Sequence, residues 1–377
     1  MVRMSRSEVL ADDEVVVAHV FARTVRRCFL LGTDAVSGKN FDHRKLWIEA
    51  HLQHFAAAFG IDLLAYAVLS NHFHLILRTR PDVVAIWDDT EVARRWLMLC
   101  PHRKNADGSP KEPTEAELNT IRRCPPKLAE TRQRLSSISW WMRLLCQRVA
   151  MRANREEDER GRFFQDRYKA VRLLDESSLL ACAAYVDLNP IRAAVADTLA
   201  GSDHTSLQRR IESRAESEPS PVPKQTTAEA EPKGKDAMAH LARDRIVPLR
   251  VRGDKFLAPL SIDEQGGSPG PCPSVCSDRC SDKGFLAISL VDYLQLLDWT
   301  ARQVAEGKRG IPPASTPAVL RRLGLEATPW SELVRDFGRL FTNVAGHPRI
   351  VDATRSHRTH RRFHLRHRVR ELLPALQ

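Results

Sequence analysis

A chain of 377 residues, 43% of them hydrophobic, is long enough to bury one full core and has room for a second. Its formal net charge of +11 points to a polyanionic partner, nucleic acid rather than membrane, because no apolar run nears about eighteen residues and no lysine-rich amphipathic helix stands out. The first twenty residues carry acidic side chains and no secretory apolar core, and the eight cysteines are scattered; together these predict a reducing, cytoplasmic setting rather than a disulfide scaffold or a membrane protein.

Val15 to Arg23 reads as a first strand. Leu46, Trp47, Ala50, Leu52 and Phe55 recur at helical spacing and predict an amphipathic helix over residues 44–59. Ile61 to Leu69 is a second strand and His72 to Arg78 a third, with Ser70 and Asn71 turning between them. Residues 82–135 form a polar insertion of short helices, broken at Pro101, Asp107-Gly108, Pro110, Pro113 and Pro125-Pro126. Ser137 to Asn154 is a strong helix, with Ile138, Trp141, Leu144, Leu145 and Val149 on one side. Arg167 to Leu174 is a fourth strand, and Asp175 caps the helix after it. The order strand-helix-strand-strand-helix-strand predicts an α+β fold, a ferredoxin-like βαββαβ domain with an antiparallel sheet, over residues 1–200.

From Gly201 the chain turns to Ser, Glu, Pro, Lys and Gln, which predicts a disordered linker over residues 201–250. Residues 251–377 read as a small, mainly α-helical region with helices over Phe285–Val304 and Pro317–Phe341 and a basic tail. In that tail His357, His360, His364 and His367 sit among seven arginines between Arg355 and Arg370, a setting that suits phosphate better than a cation. Cys272, Cys276 and Cys280 recur every four residues without CxxC spacing, and read as a loop with free thiols.

The third strand opens Asn71-His72-Phe73-His74-Leu75-Ile76-Leu77. A strand alternates its side chains, so His72 and His74 share one face while Phe73 and Leu75 take the other. Two imidazoles side by side on a rigid strand make half of a metal site; the plainer alternative is a half-buried pair. On the helix after Asp175, Leu179, Cys182 and Val186 fall on a core-facing stripe. Ser178, Ala181, Tyr185 and Asn189 fall on another, where small residues leave room beside the Tyr185 hydroxyl. Pro190 ends the helix and places Asn189 in its last turn. A tyrosine beside an amide suits a nucleophile next to a metal ligand, or else a packed tyrosine and an asparagine cap.

The His72-Phe73-His74 triplet, FFQDRYKA at 163–170 and YVDLNPIRA at 185–193 resemble, in that order, the HUH single-tyrosine transposases, in the branch of REP-associated tyrosine transposases of bacteria. Ala194 stands where that branch usually has Gly, and Phe164 where Trp is common. The resemblance covers residues 15–200. It implies that His72, His74 and Asn189 hold Mg²⁺ or Mn²⁺ and that Tyr185 attacks single-stranded DNA to give a 5′-phosphotyrosine. It further implies a DNA partner with hairpin, REP-like ends and a nucleoid-associated, monomeric or homodimeric protein. Arg167, Lys169, Arg172 and Arg192 are candidate phosphate contacts, or else solvated surface charge. Tyr168 is expected to pack or to stack on a base, and Tyr66 to be structural. The rival reading is a domesticated transposase that has lost catalysis and binds DNA hairpins as a regulator.

Overall fold

The structure, a computed structural model, describes residues 9–11, 13–34, 37–193, 195–196, 198–199, 201–217, 253–262, 270–304, 317–356 and 363–373. Residues 218–252, and His357 and His360 of the basic tail, lie outside the described residues.

Four strands form as the alternation of apolar residues predicts, with ends moved by one or two positions: β1 Val17–Arg23, β2 Ile61–Val68, β3 His72–Thr79 and β4 Lys169–Leu173. Between β1 and β2 runs α1, His43–Ala58. The insertion after β3 folds into α2 Pro81–Ile86, α3 Asp89–Leu99, α4 Glu115–Arg122 and α5 Pro125–Leu135. It buries Ala93, Leu97, Leu118 and Ile121 in a small core of its own. Next come α6, Ile138–Glu156, then β4, then α7, Glu176–Asp187. Asp175 caps α7 as expected: its carboxylate accepts from Ser178 N at 2.7 Å, half of a capping box with the Ser178 hydroxyl.

The sheet runs β2-β3-β1-β4-β5, where β5 is Val344–Ala345. The pairs β1–β3, β1–β4 and β2–β3 are antiparallel, while β5 adds to β4 in parallel, so the sheet is mixed rather than wholly antiparallel. One face packs on α1 and α6, where Phe55 and Phe59 meet the buried Trp141 ring at 5.4 and 5.3 Å. The other face packs on α7 and on the C-terminal helices α10 Leu290–Val304, α11 Ala318–Arg322 and α12 Ala327–Leu340. The apolar stripe of α12 (Trp330, Leu333, Val334, Phe337) is buried there, because an amphipathic helix needs a surface to cover it. Residues from the C-terminal half are thus built onto the sheet. The Arg78 guanidinium donates to Gly284 O at 2.8 Å, Arg80 Nη1 donates to Ser281 Oγ at 2.6 Å, and both arginines pair with the buried Asp62. Cys280 is buried against Asp62, and among the described residues no three His, Cys, Asp or Glu side chains gather as a metal ligand set. Nor is any described helix long and apolar enough to cross a membrane.

The linker expected from Gly201 does not begin there. The short helix α8, Asn189–Arg192, leads toward α9, Ser206–Ser217, and the segment ahead of α9 covers the open edge of β2. Val68 N donates to His204 O at 3.0 Å, and Arg210 Nη2 donates to Leu64 O at 3.0 Å. Composition made 201–217 look disordered, but an unpaired edge strand offers backbone groups that a polar segment can satisfy. Glu49 on α1 anchors this cover. Its carboxylate accepts from Tyr66 Oη at 2.7 Å, faces His204 Nδ1 at 2.8 Å and pairs with Arg209 at 2.9 Å. Burial alone would raise the Glu49 pKa, but His204, Arg209 and Tyr66 outweigh it and hold the carboxylate below its usual 4.5.

A depressed carboxylate stabilises the fold above its unfolded-state pKa, and that contribution fades as pH falls through the folded value. Glu49→Gln should therefore cost about 2 kcal/mol at neutral pH, since Tyr66, His204 and Arg209 lose the buried charge they face and Arg209 keeps only Glu212. The penalty should shrink as urea melts are run progressively below about pH 4.5.

Candidate active site

The face of the sheet beneath α7 carries the site. In the β1–β3 register Phe21 lies opposite His74 and Arg23 opposite His72. Because alternate residues share a face, His19 joins them, diagonal to His74. On the other side of β3, Ala67 is opposite His74, a small neighbour that leaves space above the strand. The α7 helix fills that space, and its buried Ala181, Ala183 and Ala184 let it lie close.

Four rings meet there. The Tyr185 ring stands edge-on to His74 at 5.4 Å and to His19 at 5.8 Å, and His72 stands edge-on to His74 at 4.9 Å. His19 Nε2 and His74 Nδ1 are 2.8 Å apart, with the rings stacked at 5.0 Å, so one of the two nitrogens carries the shared proton. His72 Nδ1 donates to Asn71 Oδ1 at 2.6 Å; that amide is oriented by its own Nδ2, which donates to Arg27 O at 3.1 Å. Each imidazole of the pair therefore has Nδ1 engaged. His74 Nε2 is buried with no hydrogen-bond partner.

Burial keeps these imidazoles neutral. It lowers His72 to about 4, helped by the charge of Arg23, and lowers His19 to about 3. His74 is pushed well below its ordinary value by burial and by its neighbours His72 and His19. Neutral rings with a nitrogen to spare and the other nitrogen hydrogen-bonded are what a divalent cation requires of histidine. The donor chemistry of His72 and His74 thus fits a metal.

Tyr185 is half-buried, and burial raises its hydroxyl above the usual tyrosine range while the charge of Arg192 pulls the other way. The Arg192 guanidinium lies 4.8 Å from the Tyr185 ring centroid and donates to Arg335 O. The room expected beside Tyr185 is taken by α12. Phe337 packs on the Tyr185 ring at 5.6 Å, and a Cβ added at Gly338 would stand 3.1 Å from the hydroxyl.

Asn189 is buried one turn beyond Tyr185, but it opens α8 rather than closing α7, because α7 stops at Asp187 with Leu188 as its cap and Pro190 begins the new turn. Lys169 lies on the histidine-bearing face, opposite Phe21, and Arg167 is exposed just before β4. Arg172 is not a surface phosphate contact: it is buried and its guanidinium pairs with Glu14 at 2.7 Å. Tyr168 is buried, with its hydroxyl 2.9 Å from Ser139 Oγ, which leaves Tyr185 as the tyrosine in the histidine cluster. His19 is the residue that sequence reading missed. A lone histidine in an apolar strand carries no motif, and only the register brings it to His74.

No family model and no curated protein matches the chain. One solved structure, described as a REP-associated tyrosine transposase bound to a REP hairpin, aligns with 59% of this chain and 93% of its own at 10% identity and a TM-score of 0.31.

Removing His19 deprives His74 Nδ1 of its partner. His19→Ala should cost about 1–3 kcal/mol. Long-range ¹H–¹⁵N spectra should show His74 in one tautomer in the parent protein and in a mixture in the variant; one unchanged tautomer in both would contradict the pairing.

Proposed function

We propose that the chain is a single-strand DNA nicking and strand-transfer enzyme of the HUH single-tyrosine transposase type. One observation carries the reading: a half-buried tyrosine on a helix stands edge-on, 5.4 Å ring to ring, to a histidine whose Nε2 is buried with no hydrogen-bond partner, on the strand that bears the second histidine. A packed structural tyrosine gives no reason for two neutral imidazoles with spare nitrogens at its edge. The strand order β2-β3-β1-β4 suits the ferredoxin-like arrangement that such a centre requires, with β5 as an addition.

In this reading His72 and His74, with Asn189 as the third ligand, hold Mg²⁺ or Mn²⁺. Held there, a divalent cation would supply positive charge to the phosphate under attack. Uncharged ligands leave its full charge for the phosphate. The Tyr185 hydroxyl arrives protonated at neutral pH. Its oxygen forms the bond to phosphorus and its proton passes to water; the P–O3′ bond breaks, and the departing 3′ oxygen takes a proton from water to become a 3′-hydroxyl. Arg192 over the ring favours the phenolate that develops. The bond energy stays in the 5′-phosphotyrosine, so rejoining needs no nucleotide triphosphate. The substrate in this reading is single-stranded DNA with hairpin, REP-like ends, met at the nucleoid by a cytoplasmic monomer or homodimer.

The cover formed by Phe337 and Gly338 favours a second reading, a catalytically silent hairpin-binding regulator. A denaturing gel separates the two. Purified protein is incubated with labelled single-stranded hairpin DNA from the sequence flanking its gene, with Mn²⁺ or with EDTA. The first reading predicts a covalent protein–DNA band that EDTA abolishes and that Tyr185→Phe lacks. A hairpin bound in a gel shift with no covalent band would support the regulator.

A further inference from the structure

We propose that His19 is a positioning residue for the centre: its Nε2 accepts a hydrogen bond from His74 Nδ1–H, which fixes the His74 ring and leaves His74 Nε2 with the lone pair that a divalent cation needs. The purpose of this arrangement rests on the metal-assisted nicking reading. Its protonation pattern rests on the geometry of the pair alone.

The first observation is the proton count along β3. His72 Nδ1 lies 2.6 Å from Asn71 Oδ1, and that amide is oriented because its Nδ2 donates to Arg27 O. An amide oxygen only accepts, so His72 carries its proton on Nδ1 and keeps a lone pair on Nε2. His74 stands two residues on, on the same face of the strand. Its Nδ1 is engaged at 2.8 Å by His19 Nε2, so Nε2 is the nitrogen left for an ion. A lone pair on His74 Nε2 puts the proton on Nδ1, and that proton is donated to His19.

The second is the setting of His19. β1 is hydrogen-bonded on both sides, to β3 and to β4, so the sheet holds its backbone in place. The side chain is enclosed by rings: Phe21 at 5.3 Å, Tyr185 at 5.8 Å and Phe337 at 5.9 Å, besides His74 at 5.0 Å. A phenyl ring would serve such packing. An imidazole buries two polar nitrogens there, and Nδ1 finds no hydrogen-bond partner among the described residues. A buried unpaired polar atom destabilises a fold and calls for an explanation. The explanation is at the other nitrogen, which meets His74 and does what a phenyl ring cannot.

The third is the kind of acceptor. A partner on the second nitrogen of a metal-binding histidine fixes its tautomer and its orientation, and that partner is commonly a carboxylate. A carboxylate would add negative charge beside the ion. His19, kept neutral by burial, accepts the same hydrogen bond and adds none, so the positive charge offered to a phosphate is undiminished.

Two measurements test the proposal. Long-range ¹H–¹⁵N spectra of the metal-free full chain should place the proton on Nδ1 in both His19 and His74; a proton on His74 Nε2 would overturn it. Mn²⁺ alone is then titrated against the full chain, with the free ion counted by electron paramagnetic resonance. His72→Ala should remove one site. His19→Phe keeps the ring packing and removes the acceptor, so its melting curve should stay near the parent's while its affinity at that site falls by about 10–100-fold. His19→Gln, whose amide oxygen accepts, should recover most of the loss. Parental affinity in His19→Phe, no recovery in His19→Gln, or a parent chain with no site that His72→Ala removes would each overturn the proposal. An affinity that falls in His19→Phe while no covalent protein–DNA band ever forms leaves the role of His19 standing and removes the nicking reading. A Tyr185-dependent band with parental Mn²⁺ affinity in His19→Phe does the reverse.

Discussion

The antiparallel register between β1 and β3 is the constraint on which the site depends. With Phe21 opposite His74 and Arg23 opposite His72, one face of two adjacent strands holds three histidines, an aromatic ring and a cation. A slip of one residue would turn the set on one strand into the opposite core, among Phe55, Phe59 and Trp141, where no hydrogen-bond partner waits. The register is fixed from both faces. Ala18, Val20, Ala22, Phe73, Leu75 and Leu77 are all buried against the far core, so hydrophobic burial on one side places the chemistry on the other.

The remainder of the chain keeps that sheet closed. Three buried carboxylates act as junctions between segments far apart in sequence. Glu49 ties α1 to β2 and α9; Asp62 ties β2 and β3 to the cysteine loop through Arg78, Arg80 and Ser281. Asp187, at the end of α7, accepts from Ser206 Oγ and from Tyr293 Oη, each at 2.8 Å. This last junction holds the C-terminal helices against the helix that carries Tyr185. Access to the tyrosine hydroxyl is therefore set by a region far from it in sequence.

Strands, the main helices, the His72/His74 pair and the Tyr185 helix were legible because alternation and helical spacing are local signals. His19 was not, because its significance lies in a cross-strand partner 55 residues away. Nor was the loss of Arg172 to an ion pair with Glu14, since an arginine on a strand looks the same whether it faces phosphate or a carboxylate. The segment 201–217 misled by composition: its polar side chains satisfy an edge strand and a buried glutamate instead of water. The C-terminal helices were visible as amphipathic, but amphipathicity names no partner, and the sheet face they cover could be found only in three dimensions.

The most direct test of the account is to identify the amino acid that carries the DNA. Protein incubated with cleavable hairpin DNA and Mn²⁺ would be digested with nuclease and trypsin, and its peptides sequenced by mass spectrometry. The account predicts a nucleotide remnant on Tyr185 alone. A remnant on Tyr168, or on a serine, would contradict it, and would move the catalytic centre away from the histidine face of the sheet.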